Sequence, residues 1–172
     1  RTLKSLNVEG VAVFSDRDRA SLHVEQASRA ICLGDGPGAS AYLDVARILE
    51  AAKACGAEAI HPGYGFLSEN AGFAEACGAA GIAFLGPTPE QLRAFGLKHT
   101  ARALAQAAGL PMLSGSGLLV SRQHARDEAA RVGYPVMLKS TAGGGGIGMR
   151  ICRDAEELAD QFDAVKRLGE SH

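Results

Sequence analysis

Neither sign of charge is in surplus in this chain of 172 residues: 18 Lys and Arg stand against 19 Asp and Glu, a formal net charge of −1. Composition therefore offers no basic field for nucleic acid and none for an anionic membrane surface. No apolar stretch approaches the roughly 20 residues needed to cross a bilayer. The first residues are polar and helix-like, which is not the pattern of a signal peptide. Cysteine is sparse. Cys32, Cys55, Cys77 and Cys152 lack C-x-x-C spacing, so they read as small buried residues in a reducing cytoplasm, not as a metal site or disulfide framework. There is no internal repeat, and no low-complexity tract apart from one run of glycines. What remains, 47% hydrophobic and 22% charged, is an ordinary globular balance. The length allows one good-sized core or two small domains. Arg1 to Leu6 reads as the tail of a helix already under way. Leu158 to Leu168 is a helical pattern that stops at Gly169. The chain is therefore expected to be an internal piece of a longer protein.

Val11 to Phe14 is a continuous apolar strand ending at Ser15-Asp16-Arg17-Asp18. An acidic residue at a strand end can bind a ribose; the same residues also suit a solvated turn and helix cap. Ala30 to Leu33 is a second strand. Ser40 is expected to cap an amphipathic helix, with Leu43, Ala46, Ile48, Leu49 and Ala52 at helical spacing and Gly56 as its stop. Ala57 to Ile60 is a strand, Ala71 to Ala80 a helix, and Ile82 to Leu85 a strand again. Strands alternating with helices predict a parallel, doubly wound sheet, with ligands at the carboxyl ends of its strands. His61-Pro62-Gly63-Tyr64-Gly65-Phe66-Leu67-Ser68-Glu69-Asn70 falls at such an end. Two glycines, a proline and a tyrosine in six residues make a shaped turn. His61 taken alone reads as a structural histidine. Glu69 suits a helix-capping acid as well as a substrate contact.

Pro89 to Phe95 is a short helix, and another begins at Gly96-Leu97-Lys98-His99-Thr100 and runs to Ala108, stopped by Gly109. Lys98 at its start opposes the helix dipole unless an anion binds there; in isolation it also fits a surface lysine. Pro111 to Val120 reads as a loop and edge segment. Ser121 caps a helix to Val132 whose Arg122, Arg126, Asp127 and Arg131 read as a solvated face. Asp154 caps the last helix, with Glu156 and Glu157 in its first turn.

The chemistry concentrates between Tyr134 and Cys152. Val136 to Leu138 is an apolar strand opened by Pro135 and closed by Lys139; Met149 to Cys152 is a second strand. Between them stand Gly143, Gly144, Gly145, Gly146 and Gly148. Ordering each costs roughly 0.5–1 kcal/mol more than ordering alanine. Such a run therefore implies a ligand that approaches the backbone closely. Successive N–H groups form an anion-binding concavity, and Lys139 adds a point charge for the same phosphates. A dinucleotide fingerprint should open a helix, a P-loop needs Lys-Ser/Thr after its last glycine, and a kinase lysine follows its glycines. None of these holds here. A flexible linker would carry serine and would not join two apolar strands.

These residues resemble the glycine-rich flap of the ATP-grasp enzymes. Gly133-Tyr134-Pro135-Val136, Lys139, the glycines and Gly148-Met149-Arg150 resemble biotin carboxylase more narrowly. The decapeptide from His61 to Asn70 resembles the same segment of that family without change. Ala142, Ile147 and Phe95-Gly96-Leu97-Lys98-His99-Thr100-Ala101-Arg102 are most similar to urea carboxylase. The resemblance implies an α/β architecture: a Rossmann-like, parallel-sheet N-terminal biotin carboxylase domain over residues 1–87, lacking its first strand, then the beginning of an ATP-grasp domain over 88–172. It implies ATP contacts at Lys98, Lys139, Gly143, Gly144, Gly145, Gly146 and Gly148, and a place beside the biotin ureido ring for Tyr64 and Gly65. The family's reaction activates bicarbonate with ATP and carboxylates biotin, which a separate carrier domain holds; a carboxyltransferase domain then passes the carboxyl group to urea, giving allophanate. Magnesium ligands and catalytic residues are expected beyond His172, so residues 1–172 alone are expected to be inactive. A biotin carboxylase subunit acting on an acyl-CoA or pyruvate, and a non-catalytic nucleotide-binding module, are the alternatives.

Overall fold

The computed structural model describes residues 2–36, 40–142 and 148–170. The chain forms two compact units, Arg1–Leu92 and Arg93–His172.

The first unit opens with a short helix, α1 (Thr2–Ser5), and strand β1 (Val11–Phe14). A 3-10 turn (Asp16–Asp18) and α2 (Leu22–Gln26) lead to β2 (Arg29–Cys32). β1 and β2 pair in parallel, Val11 opposite Arg29 and Phe14 opposite Cys32. A 3-10 turn (Ser40–Leu43) precedes α3 (Val45–Cys55), β3 (Ala59–Ile60), α4 (Ala71–Ala79) and β4 (Ala83–Phe84). β3 and β4 are also parallel, with Ile60 opposite Phe84. Each parallel pair is bridged by a helical crossover, as parallel strands require. The expected α/β pattern is present, with the ladders among the described residues confined to pairs of strands.

Among the described residues two apolar clusters hold this unit. Leu33, Ala41 and Ala51 pack with Val13, Ile31, Tyr42 and Ile48. Leu67, Phe73 and Cys77 pack with Val45, Ile48, Leu49, Ile60 and Phe84. Ile48 belongs to both, so α3 joins them. The Phe73 and Phe84 rings meet edge to face at 5.8 Å, a favoured aromatic geometry. The cap of α3 is Asp44, whose side chain accepts the Arg47 N–H at 3.0 Å. Ser40 does not cap it, because Ser40–Leu43 takes a 3-10 turn that sinks Ala41 into the core. Gly56 ends the helix at φ 71°, as its position predicts.

α5 (Pro89–Gly96) runs across the division between the units. The second unit then holds α6 (Lys98–Ala107), α7 (Arg122–Val132), β5 (Val136–Lys139), β6 (Met149–Cys152) and α8 (Ala155–Glu170). β5 and β6 are antiparallel, with Lys139 opposite Met149. Ala125 and Ala129 of α7 and Leu158, Phe162 and Val165 of α8 form one core with Leu138 and Cys152 of the hairpin. Ser121 caps α7 by accepting the His124 N–H, and Asp154 caps α8 by accepting those of Glu156 and Glu157. The polar face of α7 is not wholly solvated: Arg122 pairs with Asp163 of α8, and Arg131 reaches the Gly115 carbonyl. α8 passes through Gly169 to Glu170, beyond its expected stop. Residues 111–120 take no strand.

Only Cys77 and Cys152 meet the expectation of burial; Cys32 is exposed and Cys55 half-buried. Burial pushes the Cys77 and Cys152 thiols up in pKa, away from reactivity. Among the described residues no helix is long and apolar enough to cross a membrane.

Candidate functional site

In the second unit the two expected cations stand at different elements. Lys98 is the first residue of α6 and is half-buried; Lys139 is the last residue of β5 and is exposed. Leu97, at the cap position of α6, has no side-chain oxygen to cap the helix. Thr141 fills that role: its carbonyl accepts the Lys98 N–H at 3.0 Å, and its hydroxyl bonds His99 Nδ1. The Lys98 ammonium lies 3.5 Å from the Ala142 carbonyl. That carbonyl also accepts the Ser140 hydroxyl at 2.8 Å. Ser140 is buried and its N–H donates to the Gly148 carbonyl at 2.9 Å. The two ends of the glycine-rich stretch are thus tied to each other and to the start of α6.

Gly148 sits at φ 73°, in the left-handed region. A Cβ there would stand 2.6 Å from Ser140 Oγ, so both conformation and space demand glycine. Gly143, Gly144, Gly145 and Gly146 lie outside the described residues. Ser140, Thr141 and His99 were not singled out by sequence reasoning. The contact of Thr141 with His99 crosses some forty residues of chain, and no local pattern announces it.

In the first unit, the turn from His61 to Asn70 follows β3. Tyr64 is 95% exposed, its ring offered to solvent. Gly65 beside it has φ 71°, which glycine alone adopts without strain, and Phe66 is held at φ 43°. Three anchors hold the turn. Leu67 is buried in the core, Asn70 accepts the Phe73 N–H at 2.8 Å, and the Phe66 ring packs on Tyr42 at 5.3 Å. Asn70, not Glu69, is therefore the cap of α4. His61 Nδ1 accepts the Gly63 N–H at 3.0 Å, a structural contact within the turn.

Tyr42 is itself fixed. Its hydroxyl donates to Asp18 and accepts the Ser15 N–H at 2.9 Å. The Ser15 hydroxyl donates to the same carboxylate at 2.8 Å. These bonds, Tyr42 first, hold the Asp18 carboxyl below its ordinary pKa, while burial and then the hydrogen bond to Asp18 raise that of Tyr42. Asp16 is drawn down by Arg19 and then Cys32. The acids at the end of β1 are thus engaged by Ser15 and Arg19 of their own turn and by Tyr42 and Cys32 beyond it. Among the described residues no cluster of His, Cys, Asp and Glu could hold a metal ion.

Residues 1–92 match the family described as biotin carboxylase, N-terminal domain, and residues 98–171 match carbamoyl-phosphate synthase L chain, ATP binding domain. The urea amidolyase of Saccharomyces cerevisiae is 49% identical over 99% of the chain, which spans 9% of that protein. The biotin carboxylase of Halalkalibacterium halodurans is 50% identical over 94% of the chain, which spans 36% of it. A crystal structure of a biotin carboxylase–beta-gamma-ATP complex from Campylobacter jejuni superposes with a TM-score of 0.95 at 37% identity, covering 99% of this chain and 39% of that one.

Proposed function

Because the chain belongs to the biotin carboxylase family, we propose that it supplies part of an ATP-dependent ligase of the urea carboxylase type, carboxylating biotin with bicarbonate and delivering the carboxyl group to urea. The observation that carries this reading is the docking of Lys98 on the root of the glycine stretch, through Thr141 and Ala142. A lysine at the mouth of a helix beside a glycine-rich turn is the donor set that a transferring phosphoryl group needs. When bound, ATP supplies the phosphoryl group that activates bicarbonate.

Lys98 and Lys139 neutralise its phosphates. Gly143, Gly144, Gly145, Gly146 and Gly148 bring backbone N–H groups to them. The exposed Tyr64 ring and Gly65 border the biotin ureido ring, presented by a carrier domain, and a carboxyltransferase domain completes the reaction. Magnesium is held by residues other than these. We assign residues 1–87 to the Rossmann-like domain, without its first strand, and 88–172 to the start of the ATP-grasp domain. The four free thiols fit a cytoplasmic enzyme. A biotin carboxylase serving an acyl-CoA or pyruvate is the second reading, favoured by the 50% identity to the Halalkalibacterium halodurans biotin carboxylase.

The test is ATP affinity by titration calorimetry on the complete polypeptide that carries this sequence. Lys98→Ala is expected to weaken binding about tenfold or more, the loss of a charge-assisted contact. Unchanged affinity would remove Lys98 from the site.

A further inference from the structure

Sequence and geometry together assign a role to two residues that touch no ligand in the account above. The first turn of α6 needs partners for its N–H groups, and the Leu97 side chain supplies none. Thr141, two residues past β5, meets that turn twice: by its carbonyl to the Lys98 N–H at 3.0 Å, and by its hydroxyl to His99 Nδ1. The carbonyl contact would survive any side chain at 141. The hydroxyl–imidazole contact would not, and it is the part that depends on residue identity. His99 is half-buried. In the tautomer with its proton on Nε2, Nδ1 accepts the Thr141 hydroxyl.

The next link leads to Lys98. Ala142 follows Thr141 directly, and its carbonyl lies 3.5 Å from the Lys98 ammonium. The same carbonyl is fixed from behind by the buried Ser140 hydroxyl at 2.8 Å. A lysine ammonium rides on a flexible four-carbon stem. Its position is therefore set by where its backbone is anchored and by the carbonyl it meets. Thr141 controls the first and is adjacent to the second.

We propose that His99 and Thr141 are positioning residues whose side-chain hydrogen bond seats the first turn of α6 on the chain just past β5 and so holds Lys98 in place for ATP. The proposal rests on the reading of Lys98 as an ATP contact. Thr141→Val removes the hydroxyl at nearly constant volume, and Thr141→Ser keeps it. His99→Gln retains a group able to meet the hydroxyl, whereas His99→Ala does not.

Two measurements on the complete polypeptide separate the proposal from that reading: hydrogen exchange across residues 97–100 without nucleotide, and ATP affinity. Thr141→Val and His99→Ala are expected to speed exchange locally and to weaken ATP binding about three- to tenfold, the scale of one hydrogen bond. The double variant is expected to be no worse than the poorer single variant, since both remove the same bond. Thr141→Ser is expected to behave as wild type. Wild-type exchange and wild-type affinity in Thr141→Val would overturn the proposal, as would a serine variant as impaired as valine. If Thr141→Val unfolds, the contrast between His99→Gln and His99→Ala carries the same decision. A wild-type polypeptide that binds no ATP would sink the reading of Lys98, and the exchange data would still decide whether the contact seats the helix.

Discussion

Gly148 carries two constraints that compound. Its φ of 73° excludes a comfortable L side chain, and any Cβ would meet Ser140 Oγ at 2.6 Å. Ser140 cannot retreat, being buried and bonded to the Ala142 carbonyl. Gly148→Ala is expected to cost about 1–3 kcal/mol in urea unfolding, the usual strain of a left-handed non-glycine residue; wild-type stability would show that the turn relaxes. The Asp18 carboxyl gives a pH signature. Tyr42, then Ser15, lowers its pKa below the unfolded value of 3.8. The stabilisation is therefore complete above that value and is lost as pH falls through the lowered folded value. Tyr42→Phe is expected to flatten the acid-side decline of the urea midpoint below about pH 4; identical slopes would remove Tyr42 as the cause. At this scale much was legible. Ser121, Asp154 and Gly56 act as caps where local chemistry places them. Ser40 was misplaced because Asp44 makes the bond instead, and of the two roles open to Glu69 the cap falls to Asn70. Which of two nearby caps wins depends on backbone that propensity does not describe.

Among elements, those with a wide apolar stripe or a continuous apolar run were legible, and those without were not. α2 (Leu22–Gln26) escaped prediction because it is five residues long and its Leu22 is 68% exposed, leaving no face to read. β3 and β4 are each shorter than their apolar runs, since only two residues in each enter a ladder. The hairpin of β5 and β6 was legible from two apolar runs flanking glycines, and its register, Val136 opposite Cys152, came from the structure. The elements that place the candidate site depend on their caps. Asn70→Ala removes the cap of α4 at the end of the Tyr64 turn, and Ser121→Ala removes that of α7. Each is expected to lower stability by about 1 kcal/mol in chemical denaturation. An Asn70→Ala variant as stable as wild type would mean that the buried Leu67, and not the cap, fixes the turn.

For the molecule as a whole, sequence reasoning reached the α/β class and the family, because alternation of strand and helix and a few unusual peptides carry both. It could not pair the strands: β1 with β2 and β3 with β4 are choices among apolar runs that look alike. Nor could it find the contact between α6 and Thr141, which joins residues remote in the chain. The chain spans 9% of the urea amidolyase and 36% of the biotin carboxylase that it matches, so activity is a property to be measured on the complete polypeptide. The most direct measurement is ATP cleavage in bicarbonate and magnesium, with urea or acetyl-CoA added in turn. The account predicts stimulation by urea that avidin abolishes. Stimulation by acetyl-CoA alone would move the protein to the acyl-CoA branch of the family, and no ATP cleavage by a biotinylated polypeptide under any condition would contradict the account outright.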